Sequence, residues 1–392
     1  MSGTVLLLDG RALSCLAFAR RLARDGMEVH VGESFKHNIT AYSNSTAKTH
    51  TYPSPSERPD AFQRSVSELI ERVEYDFVVP IRDATTTQLA ELQEELPAST
   101  RTLLDTPENI ERLRDKERCA KLAERTDVPI PNTYYPSEQG IDEIRSEADF
   151  PVLVKPTHES GARGIRRVET PEDLDAAYRA TKRSGSKAIV QEFVDHAGGH
   201  FSIGTVFDRR SRPRAVHVYE ELIQYPNSGG PAIRAVSVDV EPWVHEMLAI
   251  LEAVDWTGPA HMDVLFDPAD ETFKLLEVNP RIWMSVALTI EAGVDIPKIM
   301  LDTANGIESD EPNRYDTDLA YRWVVPNEIL WAIDGRETAL RFRRLLEPDG
   351  RSTCFGILDR NDPSASLGAV LQSLEFLLHE DKRAQIFDRG TQ

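Results

Sequence analysis

Cysteine is scarce in this 392-residue chain: Cys15, Cys119 and Cys354 are odd in number and far apart. Neither a disulfide framework nor a paired-cysteine metal site can be built from them, which points to a reducing, cytoplasmic setting. Lysine is sparse as well, 10 residues against 35 arginines, and 65 acids leave a formal net charge of −20 with pI ≈ 5.0. Phosphate backbones are gripped by clustered Lys and Arg, so this balance argues against a nucleic-acid partner. No run approaches the ~18 apolar residues of a membrane helix, and none therefore points to a membrane partner. The opening run Thr4–Leu8 is too short, and too poor in basic flanks, for a secretory signal. An acidic surface rich in arginine is expected of a halophilic protein, in which salt screens self-repulsion; the alternative is an ordinary acidic enzyme. Stability that fails to rise between low and molar KCl would remove the halophilic reading.

Two glycine signatures are also missing. The first turn reads Asp9-Gly10-Arg11-Ala12-Leu13-Ser14, which is not GxGxxG, so a nicotinamide oxidoreductase is disfavoured. No GxxxxGK[ST] occurs, which excludes P-loop chemistry.

What is present is a chain of two or three packed units, at ~100–200 residues each. The first ~110 residues alternate strand and helix: Thr4–Leu8, helix Ala12–Arg24, Glu28–Gly32, helix Phe62–Val73, Tyr75–Val79, helix Asp83–Leu96 and a short strand Arg101–Leu104. Short connections between such elements predict a parallel sheet covered on both faces. From Lys116 the texture changes. A short helix over 116–126 precedes strands Val152–Val154 and Ile165–Val168, helix Pro171–Arg183 and strand Lys187–Val194. Strands near Phe201–Phe207, Ala215–Glu221 and Ala232–Val240 then lead through helix Trp243–Val254 to a hairpin, Ala260–Phe266 and Phe273–Val278.

The hairpin is the sharpest chemical feature. Alternation puts Met262, Val264 and Phe266 on one face with Leu276 and Val278, and His261, Asp263, Glu277 and Asn279 on the other. A symmetric turn over Asp267–Thr272 brings Asp263 opposite Glu277, and facing carboxylates repel unless a cation joins them. Two carboxylates and an amide oxygen suit Mg²⁺. The competing reading is a solvated sheet face. Lys155 ends the apolar strand Val152–Val154, where an ammonium calls for an anion. The small-residue stretch Ser160, Gly161, Ala162, Arg163 and Gly164 follows, and can bring backbone N–H groups to phosphate. Lys116 opens a helix at Asp115 against the dipole, a conflict that phosphate removes. Taken singly, either lysine is equally readable as a surface residue. Gln191, Glu192, Phe193 and Val194 close a strand between lobes and can offer backbone groups to an adenine edge, with Glu192 accepting from its amine; an ordinary edge strand is the alternative.

Lysine, strand–lysine–glycine loop, hinge QEFV and Asp263…Glu277-Val-Asn279-Pro-Arg281, in this order, resemble the ATP-grasp superfamily. The likeness is to the carboxylate–amine ligases related to the carbamoyl-phosphate synthetase large chain, and covers about residues 1–305. It implies an α/β N-terminal domain with a parallel sheet (1–112), a small α+β lobe with the glycine loop (113–194), a large α+β lobe with the metal hairpin (195–310) and a C-terminal α+β extension (311–392). Lys116, Lys155 and the 160–164 loop would hold the ATP phosphates, and residues 191–194 the adenine. Asp263, Glu277 and Asn279 would carry Mg²⁺, expected as two ions with Mn²⁺ as a substitute, and Arg281 would stabilise the transferred phosphoryl group. The implied reaction joins a small-molecule carboxylate to an amine through an acylphosphate. Other phosphoryl transfer or carboxylation on the same fold, and a regulator without turnover, stay open, as does a homodimer. Two positions depart from the family pattern. His200 stands where an acid usually meets ribose, and His261 where some ligases carry an arginine, so it is either catalytic or neutral and hydrogen-bonded. Arg234, after a flexible Asn-Ser-Gly-Gly stretch, is the candidate grip on the acid or the γ-phosphate, with a surface arginine as the alternative.

Overall fold

The computed structural model describes residues 3–158, 164–183, 185, 187–226, 229–307, 314–334, 338–347 and 350–378. The chain opens with β1 (Thr4–Leu8), α1 (Leu13–Arg24), β2 (Glu28–Glu33), β3 (Lys48–Thr51), α2 (Pro59–Val73), β4 (Phe77–Val79) and α3 (Asp83–Leu92). Their strands form a parallel sheet in the order β3-β2-β1-β4. Leu6 and Leu8 face Phe62, Val66 and Ile70 of α2, whereas Val5 and Leu7 face Phe18 and Leu22 of α1. Alternate residues of one strand thus bury against helices on opposite faces, as a parallel sheet requires. The expected strand over Arg101–Leu104 is not formed: one bridge joins Arg101 to Phe77 before the chain leaves the sheet. Its apolar pattern reflects Leu103 and Leu104 buried as loop residues.

Next come α4 (Pro107–Arg114), α5 (Lys116–Arg125), β5 (Thr133–Tyr134), α6 (Ile141–Glu147), β6 (Val152–Pro156), β7 (Arg166–Val168), α7 (Leu174–Arg183) and β8 (Ala188–Glu192). An antiparallel sheet ordered β5-β8-β6-β7 packs its Val152, Val154, Val168 and Val190 on Ile144 and Leu174. Asp115 ends α4 and caps α5, accepting from the Arg118 N–H at 3.0 Å, which fixes Lys116 as the first helical residue.

The remaining elements are β9 (His200–Phe207), β10 (Pro213–Gln224), β11 (Ala232–Val238), α8 (Pro242–Glu252), β12 (Gly258–Asp267), β13 (Thr272–Asn279), α9 (Val286–Glu291), α10 (Ile296–Ala304), β14 (Ala320–Arg322), α11 (Ile329–Ile333), α12 (Thr338–Leu346), β15 (Thr353–Phe355) and α13 (Pro363–Leu378). One seven-stranded sheet runs β13-β12-β9-β10-β11-β14-β15. The segment beyond 311 therefore supplies edge strands to the large-lobe sheet. It then returns to the N-terminal domain, where Ala365 and Ala369 of α13 pack on Leu13, Leu16 and Ile39, and Arg20 pairs with Asp362 at 2.8 Å. One apolar core runs from Leu6 through α4 and α5 to Trp243, Met262 and Leu275 of the large lobe. No helix among the described residues is long and apolar enough to cross a membrane.

Candidate functional site

β12 and β13 pair with Asp263 opposite Glu277 and His261 opposite Asn279. The register slips just beyond, between Asp263 and Val264, so that Val264 meets Leu275. This bulge corrects the sequence reading of the hairpin. Leu275, not Leu276, turns into the core, and Leu276 opens instead to a cleft beside α5. Leu113, Ala120, Ile130, Ile189, Leu275 and Leu276 give that cleft an apolar wall, with Lys116, Gln191 and Glu277 as polar groups. An apolar slot with a few converging polar groups suits a flat heterocycle.

The hydrogen bonds at the metal-type residues form a tight set. The Asn279 amide donates to Asp263 Oδ2 at 3.1 Å and to Glu277 Oε1 at 3.0 Å. Rotating that amide by half a turn would present its oxygen between the two carboxylates, giving three oxygen donors of the kind Mg²⁺ takes. Lys116 Nζ lies 3.0 Å from Glu277 Oε2. Lys155 is buried and donates to Gln191 Oε1, whose amide in turn donates to Thr133 Oγ1 at 2.8 Å. Burial, with the nearby Lys116 charge, pushes the Lys155 ammonium down to about 8. Such a cation gains from an arriving anion. The two lysines come together from different elements, because the Lys116 N–H donates to Thr157 O at 3.0 Å just past β6.

Glu221 was not anticipated from the sequence, although period two from buried Tyr219 places it on this face. Its carboxylate accepts from Ser202 Oγ at 2.8 Å and from Gln224 Nε2 at 2.7 Å. His200 Nδ1 meets the same Gln224 amide at 2.6 Å, while its Nε2 is buried with no hydrogen-bond partner, 3.7 Å from Asp263 Oδ1. Burial disfavours the charged imidazole, but the Asp263 and Glu221 carboxylates outweigh it and raise the His200 pKa. A buried nitrogen without a hydrogen-bond partner beside two carboxylates leaves a polar position open to a further group.

Other expected residues take different places. The Glu192 carboxylate accepts from the Asn132 N–H at 3.0 Å and lies 3.7 Å from Lys274 Nζ, so its acceptor capacity is engaged within the protein. Phe193 carries the Arg167 guanidinium over its ring at 3.9 Å, and Val194 is buried; of residues 191–194 only Gln191 lines the cleft. His261 is buried, with Nε2 2.9 Å from Tyr219 OH and Nδ1 3.9 Å from Asp263 Oδ2, and burial lowers its pKa. It is held behind Asp263 by the contact with Tyr219, where burial favours the neutral ring. Arg234 faces away from this set: its Nη2 donates to Glu328 at 3.0 Å and to Arg344 O at 2.9 Å. The C-terminal segment, which the sequence left undefined, supplies both partners. Of the loop residues, Gly164 has a left-handed φ of 69°, and Ser160, Gly161, Ala162 and Arg163 lie outside the described residues. Arg281 is braced from the N-terminal domain, its Nε donating to Asp83 Oδ1 at 2.9 Å and its Nη2 reaching Asn279 Oδ1 at 3.4 Å.

The sequence profile of the ATP-grasp domain matches residues 113–285, the span that holds the lysines, the cleft and the hairpin. Residues 113–285 are an ATP-grasp domain. The chain is 24% identical over 207 residues to the methylcrotonoyl-CoA carboxylase subunit alpha of Glycine max, covering 49% of this chain and 28% of that protein. To the D-aspartate ligase of Enterococcus faecium it is 25% identical over 277 residues, 64% of this chain and 65% of that one. The chain thus spans well under a third of the first relative and just under two thirds of the second. Among solved structures, biotin carboxylase from Campylobacter jejuni, in its beta-gamma-ATP complex, superposes with a TM-score of 0.66 at 16% identity, covering 80% of this chain and 73% of that one. L-amino acid ligase from Bacillus licheniformis gives 0.58 at 17% identity, covering 77% and 74%. These likenesses establish the ATP-grasp fold, with the parallel sheet preceding it.

Proposed function

We propose that the protein is an ATP-dependent ligase that joins a carboxylate to an amine. Lys116, Gln191 and Glu277 at one apolar cleft, with Lys155 bonded to Gln191 and Asn279 bridging Asp263 to Glu277, carry this reading. The resemblance to D-aspartate ligase, the relative matched over the longer span, supports it. Lys116 and Lys155 bind the ATP phosphates, and Leu276 with the apolar wall takes the adenine. Asp263, Glu277 and Asn279 would hold Mg²⁺, which supplies charge neutralisation at the phosphates. A carboxylate oxygen of the acid attacks the γ-phosphorus, the bond to the β-bridging oxygen breaks, and ADP leaves. The amine then attacks the acyl carbon, phosphate departs with the oxygen that was phosphorylated, and the nitrogen loses a proton. Arg281, oriented by Asp83, stabilises charge on the transferred group. An amino-acid and organic-acid panel scored for ADP release, with mass spectrometry of the condensed product, tests the proposal. ADP release that never depends on an amine would sink it.

Carboxylation is the second reading, favoured by the likeness to biotin carboxylase. ADP release that requires bicarbonate and ignores amines would select it.

A further inference from the structure

His261 precedes Asp263 by two residues on β12, so both side chains share one face of the sheet. The imidazole stacks near Tyr219 of β10, 24° from parallel at a centroid distance of 6.2 Å, and near Trp283, 17° from parallel at 6.1 Å. On the neighbouring strand β9 its partner is Gly204. A Cβ at Gly204 would fall 2.2 Å from Trp283 Cζ2, so the absent side chain is what lets the indole lie across β9 beside the imidazole.

The two ring nitrogens face unlike partners. Nε2 lies 2.9 Å from the Tyr219 hydroxyl, and Nδ1 lies 3.9 Å from Asp263 Oδ2. Tyr219 is buried, and its oxygen accepts from Ser285 Oγ at 2.6 Å. Ser285 stands directly before α9, where a serine hydroxyl ordinarily accepts from the first N–H groups of the helix. Here it makes no such bond and turns to Tyr219 instead.

These contacts favour one placement of the protons. A neutral imidazole has one N–H and one lone pair, and an ionised carboxylate only accepts. The N–H therefore belongs at Nδ1, facing Asp263, and the lone pair at Nε2, accepting from the Tyr219 O–H. That commits the one tyrosine proton, and Ser285 donates to the tyrosine oxygen. The opposite placement would set the Nδ1 lone pair against the Asp263 carboxylate. The last step of the row, at 3.9 Å, exceeds hydrogen-bond length and acts as a dipole facing a charge.

We propose that Tyr219 and Ser285 are positioning residues: they fix His261 with its N–H toward Asp263, so that this carboxylate is oriented before a divalent cation arrives. Outer partners of a ligating carboxylate commonly set its orientation in this way. That the carboxylate serves a cation rests on the ligase reading; the proton placement does not.

Nitrogen NMR of labelled histidine rings in the full chain reads the placement directly. The His261 signal, identified by its loss in His261→Gln, should show the proton on Nδ1 in the wild type. Tyr219→Phe, which keeps the ring and removes the hydroxyl, should abolish that preference. Mn²⁺ titration followed by EPR, with a non-hydrolysable ATP analogue present, should show affinity at least roughly tenfold weaker in Tyr219→Phe and in Ser285→Ala. Ser285→Thr, which keeps a hydroxyl, should restore it. If Tyr219→Phe does not fold, as judged by its unfolding transition, Ser285→Ala gives both readouts. A wild-type proton on Nε2, or Mn²⁺ affinity unmoved or tighter in the folded variants, would overturn the proposal. Absence of Mn²⁺ binding by the wild type, with the proton on Nδ1, would overturn it by a separate route, through the cation reading of Asp263.

Discussion

Lys116 and Glu277 form an ion pair at 3.0 Å, joining the first residue of α5 to the metal-type strand β13. Both are expected to bind parts of magnesium triphosphate, so each satisfies the other until the nucleotide arrives. Nucleotide binding would exchange one ion pair for two.

Replacing Glu277 with Gln keeps the shape and removes the charge that a divalent ion needs. ADP formation should fall on the order of 100-fold or more, the scale of losing one preorganised electrostatic group. Its side chain is a quarter exposed, so the unfolding transition should move little. Wild-type turnover in this variant would remove Glu277 from the metal set.

Asp83 acts on the site through Arg281. Burial alone would raise its pKa, but the guanidinium groups of Arg281 and Arg114 hold it below the usual carboxylate range. Asp83→Asn should lower kcat by roughly 10-fold while leaving the KM for ATP unchanged, as expected of a group that orients a functional residue. The stability loss should be about 2 kcal/mol, for one charged hydrogen bond. Asp83→Glu should recover part of kcat. Equal losses in kcat and ATP affinity would mean that the contact is merely structural.

His217 gives the fold a pH dependence remote from the chemistry. It is fully buried between Ser237 Oγ at 3.0 Å and Thr289 Oγ1 at 3.0 Å, and burial lowers its pKa to about 3. The unfolded chain takes up a proton there near pH 6.5, and the folded chain does not until about pH 3. The stability due to the neutral ring is therefore full above pH 6.5 and declines on acidification, by about 1.4 kcal/mol per pH unit. Urea unfolding at pH 7 and pH 5 should show His217→Gln losing about 2 kcal/mol less than wild type over that interval. Identical losses would assign the dependence to another group.

Much of this was legible in the sequence because period and spacing are local properties. Thr4–Leu8, α1, α2 and the hairpin with Asp263 opposite Glu277 follow from alternation and helical repeat alone. What stayed hidden depends on partners distant in sequence. The bulge that exchanges Leu275 and Leu276 is a misfit between paired strands, invisible in either strand by itself. Asp83 looks like an ordinary first-turn acid until β13 brings Arg281 to it. Glu221 lay at the edge of the expected strand, although its parity with Tyr219 was a usable signal. β14 and β15, three residues each, are too short to carry a period, so the strand that completes the setting of Arg234 could not be foreseen.

Arg234 is the residue whose role changes most. Its guanidinium and that of Arg322 both meet Glu328, which is wholly buried, with Arg322 Nη2 at 2.6 Å. Glu328→Gln would leave two enclosed cations facing a neutral amide, and should cost about 3 kcal/mol, the range for breaking a buried pair. Arg234→Leu should likewise lower the urea midpoint, because Glu328 loses one of its two cations. If Arg234 is a strut between β11 and the C-terminal segment, the KM for the acid substrate in the folded Leu variant should stay within about 2-fold of wild type, well inside one tenfold step of 1.4 kcal/mol. A raised KM for the acid with an unmoved urea midpoint would return Arg234 to the substrate.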